Sequence, residues 1–156
     1  MSIKPDKTVY ANKIITFADA EFEKALREDL NLDSIISEKD IHNITRINLV
    51  QRGITSIEDI AVFKNLESIY LGYNQIKDIS ALIKLRIVDF TSCGISDISA
   101  LAGLTELEHV ELGTNNINDI SPLSGLKKVE LLNLSDNDVL YFFAAGTFAS
   151  VSFPPF

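Results

Sequence analysis

One eleven-residue phrase recurs through this chain with its apolar positions in phase. INLVQRGITSI (47–57) aligns with IYLGYNQIKDI (69–79), VDFTSCGISDI (88–98) and VELGTNNINDI (110–120), and LNLSDNDVLYF (132–142) is a degenerate fifth copy. Leu49, Leu71, Phe90, Leu112 and Leu134 follow one another at 22, 19, 22 and 22 residues. A unit of this length cannot bury its apolar side alone, so neighbours must stack and share one continuous core. Neither a lone amphipathic helix nor an ordinary alternating strand has this rhythm. The repeat narrows the chain to a solenoid.

Within a copy each position has a physical job. Ile69 and Leu71 alternate as a short strand should and point into the coil. Tyr70 and its equivalents point out, onto a concave face. Asn74 turns the chain, and its amide answers backbone groups that water cannot reach. Ile76, Ile79 and Leu82 line the rest of the interior. Cys93 takes the Asn position in the third copy, where a small thiol fits a buried turn. Arg52 takes it in the first. A buried arginine is costly, so that turn is expected to open toward the N-terminal end. Gly53 and Gly94 come next in their copies and serve turn geometry. From Ile79 to Leu85 the chain has six residues where other copies use nine. Leu85 is therefore expected to close one coil and open the next, with a tighter convex side, a local change of curvature and an intact strand ladder.

A stack needs caps, because its end coils would expose core. Residues 10–43 read as a helical N-terminal cap. In TFADAEFEKALREDLNL (16–32), Phe22, Ala25, Leu26 and Leu30 fall on one helical face. Thr16 or Asp19 supplies its cap, and the two at that spacing suit a capping box. In SEKDI (37–41) Ser37 and Asp40 repeat the logic. Residues 44–137 hold about four and a half repeats. Residues 138–156 form an apolar C-terminal capping segment, with Phe142, Ala145 and Phe148 continuing the coil spacing and Pro154 and Pro155 stopping further strand. The alternative is an oligomer contact through that segment; a monomer is expected.

Composition excludes several classes. The net charge is −8, and no basic stripe for nucleic acid appears. No run of eighteen apolar residues marks a membrane span. One cysteine allows neither an intrachain disulfide nor a thiolate zinc cluster. MSIKPDKTVY has no long apolar segment and does not read as a signal peptide. No phosphate loop, nucleophile elbow or zinc-protease motif is present.

LGYNQIKDISAL (71–82), CGISDISALAGLTEL (93–107) and TNNINDISPLSGLKKV (114–129) resemble the 22-residue leucine-rich repeats of bacterial internalins, and TFADAEFEKAL (16–26) is similar to the internalin helical cap. The resemblance covers roughly residues 10–137. It implies an α/β solenoid: a short right-handed leucine-rich-repeat array with parallel strands on the concave face, a 3-10 or irregular convex side and an α-helical cap. It also implies a secreted or surface-attached protein that binds a host protein through its concave face. An intracellular family with similar repeats binds phosphatases, so a cytosolic regulatory adaptor is the alternative. A truncated scaffold without a specific partner is the third reading.

Concave positions are read off the alignment. The candidate protein-binding residues are Arg46, Asn48, Tyr70, Tyr73, Ile87, Asp89, His109, Glu111 and Asn133. Tyr70 and Tyr73 are the anchors, offering large area and one hydrogen bond at low entropic cost. Asp89 and Glu111 stand at equivalent positions of adjacent copies, a tension that a partner's lysine or arginine, or a cation, relieves. Retaining glycosidases hold two carboxyls at a comparable separation. An open, shallow face neither excludes water nor grips a sugar, so no enzyme activity, cofactor or metal is expected.

Overall fold

A computed structural model describes residues 13–32, 35–139 and the backbone of 151–152. Its centre is a parallel sheet in sequential order, built from β1 (Arg46–Asn48), β2 (Ser68–Tyr70), β3 (Ile87–Asp89), β4 (His109–Glu111), β5 (Leu131–Asn133) and β6 (Val151–Ser152). Each of the first five strands buries only its middle side chain, Ile47, Ile69, Val88, Val110 or Leu132. Three residues suffice for that. The ladder runs on past the strands, from Leu49 N–H to Tyr70 C=O at 2.8 Å and from Tyr73 N–H to Thr91 C=O at 2.7 Å. The inward residues of all coils form one core with Phe63, Phe90, Leu101 and Leu123.

The convex side is made of 3-10 turns at Glu58–Val62, Ser99–Gly103 and Ser121–Gly125. The DIS phrase starts them. Asp97 and Asp119 each accept the N–H two residues ahead, from Ser99 and Ser121, at 2.8 Å, and Ser56 Oγ does the same for Glu58. This is the local bond by which Asp and Ser open turns. Asp78 begins the second coil identically, accepting Ser80 N–H at 2.8 Å. There the 3-10 segment is replaced by a single turn, closed from Leu82 N–H to Ile79 C=O. Leu82 and Leu85 are both buried, and β2 and β3 stay in register as Ser68↔Ile87, Ile69↔Val88 and Tyr70↔Asp89. The three missing residues are taken wholly from the convex side.

The cap holds helix α1 (Ala20–Leu30) and the single turn α2 (Glu38–Ile41). Phe22, Ala25 and Leu26 are buried as their spacing requires, and the Phe22 ring bridges Phe17 and Phe63 at 6.1 and 6.4 Å. The capping box at Thr16 is not formed. The chain is still extended there, because Ile14 pairs with Ser37 and Ile15 N–H bonds Ile36 C=O. Asp19 is the N-cap, accepting Glu21 and Phe22 N–H at 2.8 and 3.0 Å. Before α2, Asp40 accepts both Ser37 N–H and Ser37 Oγ, as the sequence suggests. At the other end, β6 continues the sheet, with Leu132↔Val151 and Asn133↔Ser152. Phe142, Ala145, Phe148, Pro154 and Pro155 lie outside the described residues, and so does the C-terminal cap or oligomer contact assigned to them.

Candidate functional site

The concave face carries the outward residues of β1–β5 and of the turns that follow. In every copy the residue just before the Asn position is left-handed, at φ 57 for Gln51, 61 for Tyr73, 54 for Ser92, 57 for Thr114 and 54 for Asp136. None is glycine, although L-residues resist this conformation. The bend inverts the chain so that in the second to fourth copies the next side chain, Asn74, Cys93 or Asn115, enters the coil. In the second copy it also leaves Tyr73 projecting, 61% exposed. Sequence reasoning placed Tyr73 on the face but had no signal for the bend, since glycine does not mark it.

The buried amides work as expected. Asn115 donates to Phe90, Leu112 and Gly113 C=O at 2.8, 2.8 and 3.2 Å and accepts Cys93 and Ile95 N–H at 3.1 and 3.0 Å. Asn74 bonds the first coil in the same way, through Arg52 and Ile54 N–H and Leu49 C=O. Cys93 substitutes for the amide. Its thiol lies 3.2 Å from Leu71 C=O and 3.6 Å from Thr91 C=O. Burial pushes the thiol pKa up. Native Cys93, 3% exposed, is therefore expected to resist an aromatic disulfide reagent at pH 8 and to react fully once denatured; rapid native labelling would contradict a structural thiol. Arg52 leaves its turn on the cap side and meets Glu28 of α1 at 2.5 Å.

The nine candidate residues do not share one role. Asn48, Asp89 and Asn133 each accept the N–H two residues ahead, from Val50, Thr91 and Ser135, at 3.4, 2.9 and 3.0 Å. They brace the strand ends as well as facing out, and Asx residues two before a turn N–H are a signal for this. Gly72 and Gly113 make room for two of them. A Cβ at Gly72 would sit 3.2 Å from Asp89 Oδ1, and one at Gly113 would sit 3.1 Å from Asn133 Nδ2. The Arg46 guanidinium lies 4.5 Å over the Tyr70 ring, a cation–π contact that fixes both side chains. Ile87, His109 and Leu131 are in register at the strand starts, and Asp89, Glu111 and Asn133 one pleat further. Along the rim, Arg86 grips Glu108 with bonds of 3.0 and 2.7 Å and reaches Glu67 at 3.7 Å. Among the described residues no group of three or more His, Cys, Asp or Glu side chains is placed to hold a metal, and no helix is long and apolar enough to cross a membrane.

A family model of leucine-rich repeats, two copies long, matches residues 83–125. A search of curated proteins returns no match. Among solved structures, an internalin (inlF) of Listeria monocytogenes is 29% identical, with a TM-score of 0.60; the match covers 79% of this chain and 45% of that one. The chain thus spans under half that internalin's length. A secreted internalin-like protein of the same organism matches with a TM-score of 0.54 and 18% identity over 85% of this chain and 62% of its own, a likeness of fold. The repeats match the leucine-rich-repeat model, and the chain as a whole is similar to internalins, a leucine-rich-repeat solenoid of internalin-like fold.

Proposed function

We propose that the chain binds a protein partner on its concave sheet, outside or on the surface of a bacterial cell, and that the partner is a host protein. Leucine-rich repeats generally serve protein–protein interaction, and the likeness to an internalin supports the extracellular setting. The observation that carries the reading is Tyr73. It is a large amphipathic side chain, 61% exposed and held out by a left-handed backbone, in the copy where Tyr70 is already fixed under Arg46. Pre-organised aromatic area is what interface hot spots are built from.

The test is affinity capture from host-cell surface extract and bacterial lysate in parallel, with Tyr70→Ala/Tyr73→Ala beside the unmutated chain. A host partner is expected whose affinity falls about tenfold or more in the double variant, with the unfolding midpoint little changed. Unchanged affinity would remove the tyrosines as anchors. A tyrosine-dependent partner from the bacterial lysate alone would replace the host-binding reading with an adaptor.

A further inference from the structure

Glu111 is the unexplained charge on the concave face. It is half-buried, yet among the described residues its carboxylate has neither a hydrogen-bond nor an ion-pair partner. Its register partner across the sheet is Asp89, also half-buried, on a strand about 4.8 Å away. Asp89 commits Oδ1 to Thr91 N–H. The carboxylates around this pair already have cations: Glu108 and Glu67 share Arg86, and Glu106 has Lys128. Arg46 stands two strands from Asp89, stacked on Tyr70. Aromatic surface adjoins the pair, since Tyr70 is in register with Asp89 and Tyr73 N–H bonds the carbonyl of Thr91. Further along, Asp136 adds one more exposed carboxylate.

We infer that this face takes a basic segment of the protein partner, with an arginine or lysine head seated on Asp89 and Glu111 and its aliphatic stem against Tyr73. The inference rests on the concave binding reading above. Two carboxylates side by side suit the fork of a guanidinium, and a tyrosine ring beside them covers the methylene stem. An acidic or purely apolar segment would leave Glu111 half-buried and unpaired.

The test uses the full chain, 15N-labelled, titrated with hexa-arginine at physiological salt. The Asp89→Asn/Glu111→Gln variant is compared with Glu21→Gln/Glu38→Gln, which removes equal charge from the cap. Asparagine keeps the strand-end acceptor, as Asn48 and Asn133 show in their own copies, so β3 is expected to hold its shape. The expected result is shifts centred on residues 89–92 and 111–114. Affinity should fall about tenfold in the concave variant and less than twofold in the cap variant. Equal losses in the two variants, or shifts centred elsewhere, overturn the inference. With a captured partner the two claims separate. Binding that needs Tyr70 and Tyr73 but ignores Asp89→Asn/Glu111→Gln overturns the basic segment and leaves the concave module standing. Binding indifferent to all four overturns both.

Discussion

Replacing Asn115 with alanine is expected to lower the unfolding free energy by about 3–5 kcal/mol, on the order of 1–3 kcal/mol for each buried backbone group left without a partner after partial relaxation. Three groups are left so: the carbonyl of Phe90 loses its donor, and the N–H groups of Cys93 and Ile95 lose their acceptor. The carbonyls of Leu112 and Gly113 lose one donor but keep Asn137 Nδ2 and Ser92 N–H. Each lies inside a turn that the next coil covers, so protein must supply what water cannot. The side chain also links the third coil to the fourth. In a stack held by nearest-neighbour contacts, a weakened interface lets the array part there. Urea denaturation measures the loss, and hydrogen exchange at Cys93 and Ile95 locates it. A loss under about 1 kcal/mol would mean that water enters the turn and replaces the amide.

The repeat was legible because its inward positions carry apolar residues in one phase. Ile47, Ile69, Val88 and Val110 all landed in the core for that reason. The shortened second coil was legible as a count of residues between Ile79 and Leu85, and the deletion fell on the convex side because the ladder cannot lose residues without losing register. Helix α1 was legible in its buried face, while its start stayed open between Thr16 and Asp19. Thr16 and Asp19 have equal local claims as caps, and the choice is made by residues 13–15 pairing with 36–38, a contact that local pattern does not contain. On the concave face the alignment told which side chains point out. It did not tell which are already employed: Asp89 is bonded to Thr91 and Glu111 is not, although the two occupy the same position. The strand-end Asx turns of Asn48, Asp89 and Asn133 follow a local rule that the sequence offered and the alignment passed over.

Asp19→Ala is expected to cost about 2–4 kcal/mol, summing a lost helix cap with lost charge-assisted bonds to the first repeat. The carboxylate does two jobs. Oδ1 caps α1 through Glu21 and Phe22, and Oδ2 crosses to accept Ser56 N–H at 3.0 Å and Thr55 N–H at 3.3 Å. Asp59 answers from the repeat side, accepting Ala18 N–H at 2.8 Å and Asp19 N–H at 3.0 Å. The clamp seats Phe22 against Phe63 and so covers the first coil. Burial alone would raise the Asp19 pKa; the N–H groups of Phe22, Ser56, Thr55 and Glu21 outweigh it and hold the pKa below the ordinary carboxylate value. A depressed pKa contributes stability that is present above the unfolded value near 3.9 and is lost as pH falls through the folded one. Asp40, held down by the Ser37 hydroxyl, and Asp97 and Asp119, held down by Ser99 and Ser121 N–H, act in the same sense. Stability is therefore expected to be flat with respect to these groups from neutral pH to about 5 and to fall below about 4. Asp19→Ala should start lower and fall less steeply. Native-state exchange of the α1 amides separates the clamp from ring packing: they should exchange faster than the amides of the β3–β4 ladder in the variant, and an α1 as protected as before would mean that Phe22 on Phe63 holds the cap without the carboxylate.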